Sequence, residues 1–268
     1  GLEPSSIAFP FRSAFRKRKN FHFRLASVIG VREQEQSLET SAGVIHYDYL
    51  VLACGGTTNF FGNEEVARHS LPMKTLYESM NLRNVLLQHI EQALVTDDPM
   101  EAQALLTVAI VGGGPTGVEI AGALAEMKRY VLPKDYPDLD AARFTIHLLD
   151  AAPRLLGAMS EKSSETAARG LAELGVEIHT GTMVSGYDGK TLTLSDGTEM
   201  QTRTVIWVSG IVANTIEGIS AETLGRGRRI LVDEHSQILG LTNIFAIGDQ
   251  SLMTADPKYP NGHPQLAQ

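Results

Sequence analysis

The chain has 268 residues, enough for two domains of ordinary size. A formal net charge of −8, with 43% hydrophobic and 20% charged residues, is globular composition and lacks the basic balance of a nucleic-acid binder. The single cysteine, Cys54, excludes an internal disulfide or dithiol, and no apolar run reaches the ~18 residues of a membrane span.

In chain order, Arg16-Lys17-Arg18-Lys19, with Arg12 and Arg24 nearby, form a basic cluster. It reads as a solvated helix face, with contact to a phosphate or an anionic lipid head as the alternative. Residues 21–28 alternate as a strand does. Residues 47–53 are apolar, β-leaning and closed by Gly55-Gly56, which predicts a buried parallel strand. Helical spacing of Leu76, Met80, Leu82, Val85, Leu86 and Ile90 predicts a helix over 75–94, stopped at Asp97-Asp98-Pro99. A short apolar strand over 107–111 runs into a glycine loop and a helix to residue 131. Residues 133–137, with two prolines, read as a loop insertion. Further on, strands are expected at 144–149, 176–179, 191–194, 204–208 and 230–233, with a helix over 161–174 ended by Gly175. The strand at 191–194 is closed by the Ser195-Asp196-Gly197 turn. A last strand at 244–247 leads into Gly248-Asp249. Alternation of strand and helix implies α/β architecture with a parallel sheet, plus a small antiparallel element. The eight histidines show no ligand spacing along the chain, so no metal is expected.

Gly112, Gly113, Gly114, Pro115, Thr116 and Gly117 make a G-x-G-x-x-G loop between an apolar strand and an apolar helix, the context this motif requires. Gly112 permits the tight turn, Gly114 lets a pyrophosphate approach the backbone, and Gly117 lets the helix pack against the strand. The helix N-terminus then offers free N–H groups to phosphates. The motif also calls for an acid at the end of the next strand, to hold ribose hydroxyls, and Asp150 stands there. It follows Gly117 by 150 − 117 = 33 residues, and the loop around Tyr136-Pro137 accounts for the length beyond the usual ~20. An acid there repels a 2′-phosphate, which favours NADH over NADPH, although Arg154 nearby could soften the preference. The other reading of Asp150 is a helix cap or a surface charge.

At GGGPTGVE, 112–119, the chain resembles the flavin-dependent pyridine-nucleotide oxidoreductases. YDYLVLACGGTTN, 47–59, is similar to that family's strand ending in an Ala-Thr-Gly turn, and NIFAIGD, 243–249, to its second FAD motif. HPQLAQ, 263–268, resembles a segment of the type II NADH dehydrogenases, single-subunit NADH:quinone reductases of membrane surfaces.

The resemblance implies Rossmann-like FAD- and NAD(P)-binding domains of three layers. It implies that hydride passes from NADH to FAD and electrons pass on to quinone. Gly248 and Asp249 would meet the flavin's ribityl chain, Asp249 alternatively being a strand-ending cap. Glu119 would lie near the nicotinamide, or else complement the helix dipole. Gly210, in IWVSG with Trp207, would approach the nicotinamide, while Trp207 itself reads as core packing. Gln268 would sit by the flavin and the quinone pocket. Cys54 stands where the family often has threonine and reads as a small buried residue, which argues against the disulfide-reductase branch.

No glycine motif precedes residue 40 and no membrane-docking segment follows. The expectation is therefore an internal fragment: a partial FAD-binding domain over 1–104, an NADH-binding domain over 105–226 and a returning FAD segment over 227–268. Such a piece should expose apolar surface and hold FAD poorly or not at all. The parent is expected in the cytoplasm, peripheral on a membrane, with NADH and quinone as partners and its oligomeric state, a homodimer included, open. Two other readings stand: a reductase of the same superfamily with a ferredoxin- or rubredoxin-type acceptor, and a protein that senses NADH without turnover.

Overall fold

The computed structural model describes residues 8–257 and 262–265. The chain divides into two units, Thr58–Gly210 and a second made of Gly1–Thr57 with Ile211–Gln268.

The Thr58–Gly210 unit is built on a five-stranded sheet, in the order Leu71–Pro72, Thr204–Trp207, Thr107–Val111, Thr145–Asp150 and Glu177–Thr180. Every neighbouring pair in it is parallel. Its central strand, Thr107–Val111, is buried along its whole length, so both faces must be covered. Alternation sorts the side chains between the two faces. Val108, Ile110, Ile146, Leu148 and Ile206 point into a core closed by the helices Leu76–Val95, Pro115–Tyr130 and Glu161–Glu173. Ala109, Val111, Leu149, Val205 and Trp207 point the other way. There they meet Tyr187, Leu192 and Leu194 of a small antiparallel sheet, Val184–Tyr187, Thr191–Leu194 and Glu199–Gln201. The result is three layers: helices, parallel sheet and antiparallel sheet.

The helix Leu76–Val95 starts where its sequence says it should. Thr75 accepts from the Glu78 N–H at 3.2 Å, and Glu78 accepts from the Thr75 N–H at 2.7 Å, a reciprocal capping box. Replacing Thr75 with Ala should lower stability by about 1 kcal/mol. Chemical denaturation would show this as a lower midpoint at unchanged slope; an unchanged midpoint would deny the cap any weight.

The second unit holds an antiparallel sheet, Val28–Arg32, Ser37–Thr40 and Gly43–His46, and a parallel pair, Leu50–Leu52 with Ile244–Ala246. A third sheet joins Ile230–Val232, Gly248–Met253 and His263–Gln265. Its core gathers Val31, Leu52, Ile230, Val232, Ile244 and Met253.

The α/β class with a parallel sheet and small antiparallel elements is what the structure has, but several expected details differ. The unit boundaries fall after Thr57 and Gly210, not at 104 and 226. Leu82, Leu86, Ile90 and Ala93 are core residues of the Thr58–Gly210 unit, which draws their helix into it. Residues 211–226 go to the other unit, where the Val31 N–H donates to Glu217 O at 2.8 Å. The strand expected at 21–28 begins only at Val28. Asp98-Pro99 stops one helix and starts another, Pro99–Leu105, because Asp98 caps it and Pro99 suits its first turn. The loop expected at 133–137 contains a short helix, Leu132–Asp135. The strand Leu50–Leu52 is not fully buried: Val51 is 55% exposed. Arg16 to Lys19 are exposed and follow the four-residue helix Phe11–Ala14 instead of lying on it.

Candidate functional site

The glycine loop sits where the buried strand Thr107–Val111 ends and the helix Pro115–Tyr130 begins. At Gly112 the backbone has φ +122°, a conformation glycine tolerates and other residues resist. A Cβ there would lie 2.8 Å from Ser209 N and Val208 C, so the turn also depends on close approach to the neighbouring strand's end. At Gly117 a Cβ would overlap the Gly112 carbonyl oxygen, so the helix can lie against the loop only as glycine. Gly114 differs: its φ is −74° and a Cβ would meet nothing within 4 Å. Gly114 is the N-cap of the helix, and Pro115 occupies its first turn.

Among the described α-helices longer than four residues, this end alone lacks a side-chain cap. Gly114 offers no side-chain cap, and the first turn carries no acid. By contrast Asn63, Thr75, Asp98 and Ser160 each cap their helices with a side-chain oxygen. The first-turn N–H groups of Pro115–Tyr130 therefore carry a partial positive charge that no side-chain cap and no first-turn acid offsets. That arrangement fits a phosphate-bearing ligand.

Asp150 closes the strand Thr145–Asp150 beside the loop. Its Oδ2 accepts a short hydrogen bond from the Gly113 N–H, and its Oδ1 accepts from the Ala152 N–H at 2.7 Å. The Gly112 N–H donates to Leu149 O at 2.8 Å, and the Leu156 N–H to Gly113 O at 2.8 Å, which ties the loop to both flanks. The Arg154 Nη2 donates to the carbonyls of Gly157 and Met159, at 2.9 and 3.0 Å. Thr116 and Glu119 are exposed, Glu119 one turn into the helix. Gly210, with φ +92°, accepts from the Asn59 N–H at 3.2 Å. Trp207 is 5% exposed, donates to Asn59 O at 2.9 Å and stacks on Phe60.

In the other unit, Gly248 has φ +68° and Asp249 is half-buried, its carbonyl accepting from Arg229 Nε at 3.0 Å. His263–Gln265 pairs antiparallel with this strand, Gly248 opposite Gln265, which brings the start of HPQLAQ alongside the Gly-Asp turn. Gln268 lies outside the described residues. Cys54 is exposed, not buried as expected. Its backbone is fixed, however: the Cys54 N–H donates to Gln250 Oε1 at 3.0 Å, and Asn214 Nδ2 donates to Cys54 O at 2.9 Å. Gln250, fully buried, also donates to Asn214 O at 2.7 Å. Sequence reasoning missed Gln250. A wholly buried amide directly after Gly-Asp is the only signal, and burial is not visible in a sequence.

The structure also gathers groups that chain spacing hides. His147, Glu177 and His179 come together across two adjacent strands, although the histidines show no ligand pattern in sequence. Among the described residues, no helix is long and apolar enough to cross a membrane.

Comparison with known proteins bears on both units. Residues 3–268 match the family described as pyridine nucleotide-disulphide oxidoreductase. The type II NADH:quinone oxidoreductase Ndh of Mycobacterium tuberculosis is 33% identical over 97% of this chain and 59% of its own length. The type II NADH:quinone oxidoreductase of Haemophilus influenzae is 28% identical over 87% of this chain and 54% of its own. The chain thus spans little more than half the length of the curated relatives it matches. Among solved structures, NDH2 from Plasmodium falciparum in complex with NADH has a TM-score of 0.79 at 22% identity, covering 88% of this chain and 52% of its own. The covalent putidaredoxin reductase–putidaredoxin complex has a TM-score of 0.70 at 23% identity, covering 99% of this chain and 58% of its own.

Proposed function

The chain belongs to the pyridine nucleotide-disulphide oxidoreductase family, and from that premise we propose that it is the NADH-binding portion of a flavin-dependent NADH:quinone oxidoreductase. The observation that carries this reading is the glycine loop with its open, uncapped helix end beside Asp150. Gly112, Gly113, Gly114, Pro115, Thr116 and Gly117 cradle the pyrophosphate, whose charge the helix end stabilises. Asp150 uses one lone pair of each oxygen on its own loop, and the remaining pairs accept from the adenosine ribose hydroxyls. Glu119 and Gly210 face the nicotinamide end.

Gly248 and Asp249 are the residues that would hold a flavin. Positive φ at Gly248 lets the backbone turn without a Cβ in the way, and the Asp249 carboxylate takes hydroxyls of the ribityl chain. A flavin there supplies the acceptor for hydride and the relay of electrons; the protein supplies position and electrostatics. Quinone as the final acceptor, with Gln268 near it, and a place at the membrane surface follow the names of the relatives and the HPQLAQ resemblance.

Calorimetric titration with NADH and with NADPH is the direct test. The expected result is saturable NADH binding at one site per chain, with NADPH weaker by at least about tenfold, or ~1.4 kcal/mol. A folded sample that binds neither nucleotide would overturn the site. For the acceptor, the whole protein should reduce a soluble quinone analogue with NADH and leave ferredoxin oxidised; the reverse would move it to the ferredoxin-reductase reading.

A further inference from the structure

His147 lies in the strand Thr145–Asp150, opposite Glu177 in the edge strand Glu177–Thr180, and His179 follows Glu177 by two residues. In paired parallel strands, opposite residues and those two apart share one face of the sheet. All three side chains therefore meet at the sheet edge. His147 Nδ1 is 3.2 Å from His179 Nε2 and 3.4 Å from a Glu177 carboxylate oxygen. One ligand atom from each residue lies within 4.8 Å of the others.

We propose that His147, Glu177 and His179 form a binding site for a divalent transition metal of the zinc class, clamping the edge strand to its neighbour. Three lines of geometry and chemistry support it. First, the spacing fits. Ligand atoms about 2.0–2.1 Å from a tetrahedral zinc stand roughly 3.3 Å apart, as the two contacts of His147 Nδ1 do. Secondly, three electron-rich atoms converge, and one imidazole proton on Nδ1 can point at only one of its two neighbours; a single cation satisfies all of them. Thirdly, two imidazoles and one carboxylate are the donors that zinc and similar ions prefer, whereas magnesium and calcium take oxygen sets. The Glu177 side chain is 58% exposed, which gives the ion a path in and leaves water room to complete its coordination.

The position gives the ion something to act on. His147 precedes Asp150 by three residues on the same strand. An ion at the edge would stiffen the strand whose end presents Asp150 to the glycine loop. The site stands on its own residues and does not depend on which acceptor the enzyme uses.

The test titrates the chain with zinc chloride alone by calorimetry, in a buffer that does not chelate, beside Glu177→Gln and His179→Asn variants. Both substituted residues are at least partly solvent-accessible, and circular dichroism confirms that the variants fold. The expected result is one zinc per chain in the micromolar range or tighter, weakened at least about tenfold by either substitution, with no response to magnesium. Cobalt in place of zinc should give visible d–d bands in the parent chain that the His179→Asn variant lacks. Absence of saturable one-ion binding would overturn the proposal. So would zinc binding that both variants retain unchanged, since it would then lie on other surface histidines.

Discussion

Gly117→Ala should abolish NADH binding and destabilise the chain together. The new methyl would overlap the Gly112 carbonyl oxygen and come 3.0 Å from the Gly112 carbonyl carbon. Both atoms are backbone, in a turn already held at φ +122° and tied to Leu149 O, so no side-chain rotation relieves the clash. Overpacking of a tight interior costs about 1–3 kcal/mol, and a backbone obstacle belongs at the upper end. A fall in Tm on the order of 10 °C follows for a unit of this size. Gly114→Ala is the informative partner. Its methyl meets no protein atom, and its φ of −74° suits any residue. It should leave Tm unchanged while weakening NADH by about tenfold or more, because the methyl occupies the space through which the pyrophosphate approaches. Calorimetry and thermal melts on both variants decide the matter. NADH binding at parental strength in Gly114→Ala would show that the dinucleotide does not lie against that glycine.

The contrast between these two glycines shows what could be read in the sequence and what could not. The motif and its flanks were legible, because G-x-G-x-x-G between apolar strand and helix has few other uses. The motif also suggests a role for each glycine, but the contacts behind those roles needed coordinates, which show Gly117 jammed against backbone and Gly114 with no atom near its Cβ position. The central elements of the Thr58–Gly210 unit were legible for a similar reason: the strand Thr107–Val111 is a continuous apolar run and the long helix has a capping box, both local signals. The short helix Glu64–His69 and the strands Leu71–Pro72, Val184–Tyr187 and Glu199–Gln201 carry no such run and were not foreseen. Boundaries were less so. The helix Leu76–Val95 could not be assigned to its unit from its own sequence, because Leu82, Leu86 and Ile90 reveal an apolar face but not its partner. Asp98-Pro99 signals a stop and serves equally as a start, since the same residues suit both ends. The exposure of Cys54, the amide bridge of Gln250 and the meeting of His147 with His179 all depend on contacts between distant segments. No period or spacing along the chain encodes those.

The second large effect is expected at Asp150, where stability of the loop and choice of nucleotide pass through one carboxylate. Asp150→Ala removes the acceptor of the Gly113 N–H and of the Ala152 N–H. Gly113 is buried, so its N–H would be left without a partner at a cost of about 1–3 kcal/mol. The loop that presents the helix end would loosen, and the ribose would lose its hydrogen bonds as well. NADH affinity should fall on the order of a hundredfold, ~2.8 kcal/mol. Asp150→Asn weakens the first role and removes the charge behind the second, since its amide nitrogen cannot accept one of the two loop N–H groups. It keeps the shape and one acceptor oxygen while removing the charge that repels a 2′-phosphate. Its NADH affinity should drop less, and the ratio of NADH to NADPH affinity should narrow by about tenfold. Arg154 Nη2 is engaged by the carbonyls of Gly157 and Met159, while its Nη1 has no hydrogen-bond partner among the described residues, so the same titrations on Arg154→Ala measure whether it offsets that repulsion. On the proposed reading, the discrimination in the parent chain is expected to rest chiefly on Asp150. Titrating both nucleotides into both variants measures it: an unchanged NADH-to-NADPH ratio in Asp150→Asn would mean that the carboxylate serves the loop alone and that another group reads the ribose.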